Sequence, residues 1–422
     1  MLPLGDGGIG PFQGASMGAE RRPLMQIDLL SPASFAAGQP HDQYRWLREH
    51  DPVHWHEEPG GRGFWAVTRY ADVWTVDRDF QTYSSSPTIM IADPQGGSEN
   101  GGLGPYKMML MMDPPEHAGF RKLIRGEFTL PSARLRGERI AALARQIVDA
   151  VAGKGECDFV SEVAGEMPSY VIAELMGMPL DDGRELYKLT EAIHTAPEAQ
   201  APGAGAAAVG QMFQYGMGVI AEKRARPADD LASKLLAAEV DGRRLEDPEF
   251  LLFFLLLIDA GGDTTRNLLA GGLLALMERP EQLAWLKADL DGRLAGAQEV
   301  LLRWTSPVIY MRRTARRDAE LAGAKIREGD KVVMYFGSAN RDPARMEHPD
   351  ELDLSRPPEA HLAFGAGPHV CLGQHIARIE IDAMLREVLT RMDDFELAGE
   401  VEWLPSNFIS GPKSMPLRFR AA

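Results

Sequence analysis

The residues with the clearest capacity for chemistry lie between Phe364 and Gly373, in a stretch that holds one of the chain's 2 cysteines. Glycines surround Cys371 and apolar residues at helical spacing follow it, which predicts that a loop enters a helix at this cysteine. Backbone N–H groups and the dipole at a helix N-terminus stabilise an anion and lower the pKa of a cysteine. The sequence therefore predicts a thiolate that is displayed from a glycine-rich loop.

Three uses of this thiolate stay open at the level of the local sequence. A nucleophile would need a base within reach, for which His369 and His375 are candidates. A zinc site could combine Cys371 with these two histidines and His361, but the spacing matches none of the common zinc patterns. The third use is axial ligation of haem iron, where thiolate donation favours cleavage of the O–O bond.

A second chemical signal interrupts a long apolar helix, which is predicted to start at Glu246-Asp247-Pro248 and to run to about Glu278. Its first half is almost continuously apolar and should be buried on all sides. Gly261 and Gly262 then each cost about 1 kcal/mol in a helix interior, and a carboxylate such as Asp263 is costly there unless it is paired. Such local violations tend to mark functional positions, with a simple kink as the alternative.

Glu299 and Arg303 are spaced i,i+4 among apolar neighbours. An exposed pair at this spacing would contribute only about 0.3–0.5 kcal/mol. In a buried pair, removal of one partner would cost about 3–5 kcal/mol, because the other charge is stranded. The flanking apolar residues favour at least partial burial and predict a structural ion pair.

A third set of charges lies on the helix predicted to start at Pro114-Pro115. His117 and Arg121 are spaced i,i+4 and share one face of that helix. Lys122 and Arg125 follow on the same helix. The alternative to a functional role is an ordinary solvated basic face.

The composition bounds the class of protein. The 422 residues include 45 Lys and Arg against 61 Asp and Glu, a net charge of −16, which argues against nucleic-acid binding as the main function. The 2 cysteines lie far apart and predict no disulfide framework, as in a reducing compartment. The longest apolar run, Leu251 to Ile258, is far short of the ~20 residues that span a bilayer. We therefore expect a cytoplasmic protein without a membrane anchor.

Apolar periodicity predicts a mainly α chain with a minor β part. Helices are expected over residues 40–50, 132–151, 164–176, 181–194, 211–225 and 229–240. Short strands are expected at 53–56, 64–68, 308–311, 319–321 and 332–336. Residues 84–104 have the composition of a long loop, and residues 199–210, almost all Ala, Gly and Pro, are interpreted as a flexible connector. We expect residues 1–22 to be disordered and residues 23–422 to form a single domain.

Four motifs, in this order, resemble those of the cytochrome P450 family. His117 and Arg121 match its early haem-propionate helix, and the segment Ala260-Gly261-Gly262-Asp263-Thr264-Thr265 is similar to its oxygen-activation segment. Glu299 and Arg303 resemble its internal Glu-x-x-Arg pair. Its haem-binding loop resembles the stretch Phe364-Gly365-x-Gly367-x-His369-x-Cys371-x-Gly373. The resemblance extends from about residue 40 to the C-terminus.

The resemblance implies a triangular-prism fold with a long central helix, small β-sheets and one haem b. It implies that Cys371 is the axial thiolate on the iron, within a cofactor loop that includes Phe364, Gly365 and Gly373. The haem propionates would be held by His117, Arg121, Arg313 and His369. Arg313 is placed by the pattern Arg313-x-Ala315-x-x-Asp318, although Arg312 is adjacent. Glu299 and Arg303 would tie the cysteine loop to its surroundings, with Arg356 nearby.

The family mechanism implies a monooxygenase that activates O2 with two electrons from NAD(P)H, carried by a separate ferredoxin and its reductase. Thr264 would hydrogen-bond the dioxygen, and Asp263 would relay protons from solvent. The ferredoxin is expected to dock near Lys122, Arg125 and Arg378. The alternatives are a peroxide-driven hydroxylase and a non-catalytic haem gas sensor or carrier.

The substrate is expected to be a hydrophobic small molecule of terpenoid, steroid or fatty-acyl size. Positions that line family pockets correspond here to uncharged residues: Leu110, Gly261, Ile309, Met311, Phe408 and Ile409.

Overall fold

Helices form most of residues 25–94 and 105–422, which are the part of the chain that the computed structural model describes. The predicted disordered segment, residues 1–22, and residues 95–104 of the predicted long loop lie outside the described residues. The helices are α1 (His41–His50), α2 (Tyr70–Arg78), α3 (Glu116–Arg125), α4 (Leu130–Leu135), α5 (Gly137–Ala152), α6 (Glu166–Met176), α7 (Leu180–His194), α8 (Ala204–Ala225), α9 (Leu231–Ala237), α10 (Asp247–Met277), α11 (Pro280–Lys287), α12 (Leu290–Thr305), α13 (Phe336–Ala339) and α14 (Gln374–Arg391).

The strands are short and form one sheet of five strands beside smaller pieces. They are β1 (Val53–His56), β2 (Phe64–Val67), β3 (Tyr83–Ser84), β4 (Glu156–Asp158), β5 (Glu239–Val240), β6 (Arg243–Arg244), β7 (Tyr310–Ala315), β8 (Ala319–Leu321), β9 (Ala324–Ile326), β10 (Lys331–Tyr335), β11 (Met392–Leu397), β12 (Glu402–Trp403), β13 (Pro412–Ser414) and β14 (Pro416–Ala421). The main sheet has the order β1-β2-β10-β7-β3, and β11-β14-β4 form a second sheet. The mainly α prediction with a minor β part is confirmed.

Helix α10 is the centre of the helical part. It begins with a capping box in which Glu246 and Glu249 satisfy each other's backbone N–H groups. It then packs against α6, α7, α8, α12 and α14. Side chains such as Phe254, Leu269 and Leu273 are buried, and each contributes roughly 1.5–3 kcal/mol relative to exposure. The predicted boundaries are confirmed, and the helix continues through Gly261 and Gly262 without a break.

Three predicted elements are different in the structure. The single helix predicted over 132–151 is divided at Arg136 between α4 and α5. The interpretation of residues 199–210 as a connector is wrong for its second half, because α8 already begins at Ala204. The alanines there are the strongest helix formers, and Gly203, with φ +79°, marks the turn before them. The helix predicted over 229–240 ends at Ala237, because Glu239–Val240 pairs with Arg243–Arg244 as a hairpin.

One face of α10 is open in its middle. Ala260 is exposed and Thr264 is half-buried, although the residues on both sides of this turn are buried. These two residues are spaced i,i+4 and therefore lie on the same face of the helix. The open face provides room for a ligand beside an otherwise buried helix.

Candidate active site

The cysteine loop has a backbone that only glycine adopts easily. Gly365 and Gly367 have φ values of +66° and +62°, in the left-handed region. A Cβ on Gly367 would lie 2.6 Å from the carbonyl oxygen of Asp77, a backbone atom that cannot move freely. The loop closes where the Cys371 N–H donates to the carbonyl oxygen of Phe364 at 2.8 Å. The predicted placement of Cys371 just before a helix, α14, is confirmed.

The Cys371 thiol has a raised pKa, contrary to the prediction from its place near a helix N-terminus. Removal from bulk water raises the pKa above the ordinary value. The N–H groups of Gly373 and Gln374 and the charges of Arg121 and Arg378 oppose this without reversing it. The helix N-terminus and the two arginines therefore favour the thiolate but do not by themselves outweigh burial.

The histidines around Cys371 have other partners. His369 lies 3.1 Å from the Ser85 hydroxyl through Nε2, and His361 lies 3.2 Å from Glu299. Among the residues that the structure describes, no three His, Cys, Asp or Glu side chains are arranged to hold a metal ion. These positions favour neither the nucleophile nor the zinc hypothesis.

A positively charged cluster adjoins the cysteine loop. The rings of His117 and His369 lie 4.1 Å apart between centroids, with their planes tilted by 33°. Burial, followed by the charge of Arg121, lowers the pKa of His117 to about 4. Burial and then Arg313 lower the pKa of His369 well below its ordinary value. Both histidines are therefore neutral near pH 7 beside two cationic arginines, an arrangement suited to binding carboxylates.

The alternation of β7 separates Arg312 from Arg313. Arg312 donates to Asp93 at 2.8 Å, whereas Arg313 donates to Asp77 at 2.7 Å. Asp77 also accepts a hydrogen bond from the N–H of Ala366, at 2.6 Å, and so anchors the cysteine loop. Arg313 is therefore the arginine on the side of the loop. Asp77 could not be predicted from the sequence, because it lies in α2 without any local motif.

The predicted ion pair between Glu299 and Arg303 is wrong. Within the described residues, Glu299 pairs instead with Arg378, whose Nε donates at 2.6 Å, and with His361. Arg303 donates to the backbone carbonyls of Asn340 and Pro349, both at 3.1 Å. In a Glu-x-x-Arg motif two residues separate the glutamate from the arginine, but three residues separate Glu299 from Arg303. Glu299 is therefore one position too early for this motif. The buried Val300 occupies the position three residues before the arginine.

Arg378 is correspondingly not a free surface cation. Two of its nitrogens donate to Glu299, at 2.6 and 2.8 Å, and its guanidinium lies over the ring of Phe364 at 4.6 Å. It braces the cysteine loop, and its place in a docking surface stays a prediction. Lys122 and Arg125 are exposed at the end of α3, as that prediction requires. Arg356 lines one small cavity with Glu299 and Arg303, as predicted, and bonds to Asp353 and to the carbonyl oxygen of His348.

Asp263 and Thr264 face different directions. Thr264 lies on the open face of α10, where its hydroxyl donates to the carbonyl oxygen of Ala260 at 3.2 Å. Asp263 is fully buried against α7, where its Oδ2 lies 2.5 Å from Nδ1 of His194. Burial alone would raise the pKa of Asp263, but Arg266 and His194 hold it below the ordinary value. The acid is therefore charged and held away from the open face.

The apolar residues predicted to contact a substrate come together around one cluster. Ile309, Phe408 and Ile409 are buried in it, and Leu110 and Met311 pack against it. The N–H of Ile309 donates to the carbonyl oxygen of Phe408 at 2.9 Å. Gly261 lies apart on α10, where a Cβ would contact Ile172 at 3.9 Å.

Comparison with known proteins identifies the family. Residues 206–407 match the model of the family described as cytochrome P450. A steroid C26-monooxygenase of Mycolicibacterium smegmatis is 36% identical over 399 residues, which cover 93% of this chain and 96% of that protein. A methyl-branched lipid omega-hydroxylase of Mycobacterium tuberculosis is 37% identical, with 86% of each chain covered.

A solved structure agrees with these relatives. Cytochrome P450 CYP268A2 of Mycobacterium marinum, in complex with pseudoionone, superposes with a TM-score of 0.87 at 38% identity. The match covers 95% of this chain and 100% of that one. The chain belongs to the cytochrome P450 family. The predicted fold and the prediction of a P450 monooxygenase are confirmed, and the family cofactor is haem b.

The residues of this P450 fit haem b. A partly accessible cysteine at the start of α14 can supply a thiolate ligand, and α10, which packs against α14, has an open face at Ala260 and Thr264. The cluster of His117, His369 and two arginines suits the carboxylates of the propionates. Within the described residues, the helices are all too short or too polar to cross a lipid bilayer.

Proposed function

We propose that this monooxygenase hydroxylates an apolar small molecule of terpenoid, steroid or fatty-acyl size. The observation that carries the proposal is the apolar cluster formed by Ile309, Phe408 and Ile409, with Leu110 and Met311 packed against it. None of these side chains is charged. A polar or ionic substrate would lose its hydration there without gaining hydrogen-bond partners. Each unpaired polar group would cost roughly 2–7 kcal/mol.

The names of similar proteins support the same substrate class. One is a steroid monooxygenase, one is a hydroxylase of methyl-branched lipids, and one was solved in complex with pseudoionone. These three compounds are all apolar, and we infer only this property for the substrate of the present chain.

Cys371 would bind the haem iron through its sulfur, from the loop that includes Phe364, Gly365 and Gly373. Haem, when bound, supplies the chemistry that activates dioxygen and inserts an oxygen atom into a C–H bond. The protein holds the cofactor by its propionates through the side chains of His117, Arg121, Arg313 and His369.

Thr264 and Asp263 are the proposed catalytic pair. The Thr264 hydroxyl lies on the open face of α10 and can turn from the Ala260 carbonyl to a ligand there. Asp263 is the proton carrier, which accepts a proton on a carboxylate oxygen and delivers it toward the side of Thr264.

The electrons are proposed to come from NAD(P)H through a reductase and a separate acidic ferredoxin. Lys122 and Arg125 are exposed on α3, the helix that also carries the buried His117. Two cations on a chain of net charge −16 would form a local positive surface, which mainly raises the rate of association with an acidic partner.

The proposal is tested by a panel of steroids, branched lipids and terpenoids, matched with hydrophilic compounds of similar size. We expect apolar members to shift the haem Soret band and to be hydroxylated when NADH, ferredoxin and reductase are supplied. A Phe408→Asp variant should lose this response while it keeps the CO spectrum of thiolate-ligated haem. A response to the hydrophilic compounds alone would refute the substrate class.

The same assay distinguishes a ferredoxin-dependent monooxygenase from a peroxide-driven hydroxylase. Hydrogen peroxide without the redox proteins should support little turnover, since the proposed pair of Asp263 and Thr264 delivers protons during reduction of oxygen. Full activity with peroxide alone, and none with NADH and the redox proteins, would overturn the ferredoxin proposal.

A further inference from the structure

The segment from Thr88 to Asp93 forms neither a helix nor a strand, although it carries two buried apolar side chains. Ile89 and Ile91 belong to the apolar cluster that is proposed to hold the substrate. Within the segment, the N–H of Met90 donates to the Thr88 hydroxyl at 3.1 Å. The remaining polar groups of its backbone need partners elsewhere in the protein.

One face of the main sheet supplies such partners. In the register of β7 with β10, Arg312 and Lys331 are diagonal neighbours on the same face. The N–H of Arg312 donates to the carbonyl oxygen of Ile89 at 2.9 Å. The N–H of Ile91 donates to the Tyr310 hydroxyl at 3.3 Å. The segment therefore lies across this face of the sheet.

The charges of Arg312 and Lys331 hold the end of the segment. Arg312 donates to Oδ1 of Asp93 at 2.8 Å, and Nζ of Lys331 lies 3.0 Å from Oδ2 of the same carboxylate. Both cations also donate to the carbonyl oxygen of Ile91, at 3.1 and 2.9 Å. The two cations are each 1% exposed, whereas Asp93 is 38% exposed. We name Arg312, Lys331 and Asp93 the Asp93 anchor.

The charges of the anchor are balanced. Glu58 accepts a second hydrogen bond from Lys331 at 2.6 Å, and the exposed Arg62 lies 3.4 Å from Asp93. Each buried cation therefore has a carboxylate partner, without which its burial would be strongly unfavourable. Burial alone would raise the pKa of Asp93, but hydrogen bonds from Lys331 and Arg312 hold it at about 2. The anchor is thus fully charged at neutral pH.

We propose that the Asp93 anchor fixes Ile89 and Ile91 in place before a substrate arrives, so that this wall of the pocket is preformed. Arg312 and Lys331 are positioning residues, because they act on a substrate only through the backbone of the segment. The inference rests on the proposed function, which places an apolar substrate beside this cluster. A wall that is already ordered loses little conformational entropy on binding, which raises affinity. It also selects among apolar molecules by their shape.

Hydrogen exchange, measured by mass spectrometry on the substrate-free holoenzyme, tests whether the wall is fixed. The bonded N–H groups of Met90 and Ile91 should exchange slowly in the wild type. Lys331→Met combined with Glu58→Gln removes one charge of each sign and keeps the approximate size of both side chains. Exchange in residues 88–93 should then be about tenfold faster, which corresponds to about 1.4 kcal/mol in the free energy of local opening. Peptides of α10 should exchange as in the wild type.

Two single variants complete the test. Asp93→Asn keeps the size of the side chain and removes its charge, and it should give a smaller increase in exchange. This variant tests the anchor even if the double variant does not fold. Arg62→Gln is the matched control, because it removes the exposed contact with Asp93 and leaves both buried cations in place. Its exchange should equal that of the wild type.

Titration of the Soret band separates positioning from general stability. For a steroid that shifts the band of the wild type, the dissociation constant should rise several-fold in the double variant, with the CO spectrum unchanged. Saturating steroid should slow exchange in residues 88–93 of the double variant but not of the wild type.

Two outcomes would overturn the proposal. In one, residues 88–93 of the substrate-free wild type exchange fast and slow down when steroid binds, which would mean that the substrate orders the wall. In the other, the wild type, the double variant and Asp93→Asn all exchange at the same rate. A panel of apolar compounds that leaves the Soret band unchanged would refute the proposed substrate class instead, and would leave the exchange result unaffected.

Discussion

Glu299 takes its partners from two distant parts of the chain rather than from its own helix. Burial alone would raise the pKa of its carboxyl, but Arg378 and His361 hold it at about 2. Since Arg378 also lies over Phe364, the carboxylate is one support of the cysteine loop. The carboxylate therefore links α12 to the loop and to α14.

Glu299→Gln should lower the free energy of unfolding by about 2 kcal/mol at pH 7, below the roughly 3–5 kcal/mol of a fully buried pair. Because the pKa of Glu299 is lower in the folded protein, its ion pairs stabilise the fold fully at pH values above 4.5, the ordinary pKa of the carboxyl. This stabilisation is lost as the pH falls toward 2. Denaturant titrations at pH 7 and pH 3 should therefore show a smaller difference at pH 3. Glu351→Gln, which removes an exposed partner of Arg356, should cost less than about 1 kcal/mol.

Glu380 is a buried carboxyl on α14 with the opposite behaviour. Burial raises its pKa to about 7, with a hydrogen bond from Thr265 opposing the shift. A raised pKa contributes stability below the unfolded value of 4.5, and this is lost as pH rises through about 7. Glu380→Gln should therefore match the wild type near pH 4 but unfold at higher denaturant at pH 8. Wild-type and variant curves that stay parallel across this range would contradict the assigned pKa.

At the scale of elements, the cysteine loop depends on its contact with α2. Asp77 of α2 accepts from the Ala366 N–H and pairs with Arg313 of β7, so three elements meet at one carboxylate. Gly367 lies against the backbone of the same helix. The position of the cysteine is thus set by packing against α2 as much as by the start of α14.

Gly367→Ala should destabilise the protein by about 2 kcal/mol, because the left-handed φ and the contact with Asp77 each add strain. The haem content of the purified Gly367→Ala variant should also be lower than that of the wild type. Gly153→Ala is the matched control. Gly153 follows α5, outside the cysteine loop, and a Cβ there meets no atom within 4 Å. Equal unfolding midpoints for the two variants would show that the loop tolerates a side chain.

Local patterns predicted the elements better than they predicted the contacts between them. The run of apolar residues allowed α10 to be predicted, because a helix that is buried on all sides has an almost continuously apolar sequence. The glycines and Cys371 likewise predicted a loop before a helix. The partners of Glu299 could not be predicted, because His361 and Arg378 reach it only in the folded chain. His194 could not be predicted for the same reason: nothing in the sequence of α7 marks its contact with Asp263.

At the scale of the whole molecule, the distribution of charge matters more than the net value of −16. Lys122→Glu with Arg125→Glu should slow reduction by an acidic ferredoxin several-fold at low salt. The effect should shrink at 0.1 M salt and above, where screening acts over ~10 Å. Stopped-flow reduction across salt concentrations measures this.

A double variant with the same change in net charge is the control for that experiment. Lys325→Glu with Arg327→Glu alters exposed cations at the hairpin of β8 and β9 instead. It should leave the reduction rate close to that of the wild type. Equal slowing by both double variants would assign the effect to overall charge rather than to α3.

The two neighbouring arginines of β7 have a consequence for how this chain can change during evolution. The strand is held on both sides, by β10 and by β3, and its side chains alternate between faces. Loss or gain of one residue within β7 would exchange Arg312 and Arg313 between faces. Either Asp77 or Asp93 would then lose its arginine, because Thr314 or Met311 would take that place. Insertions and deletions should therefore be tolerated at the hairpin of β8 and β9 but not within β7.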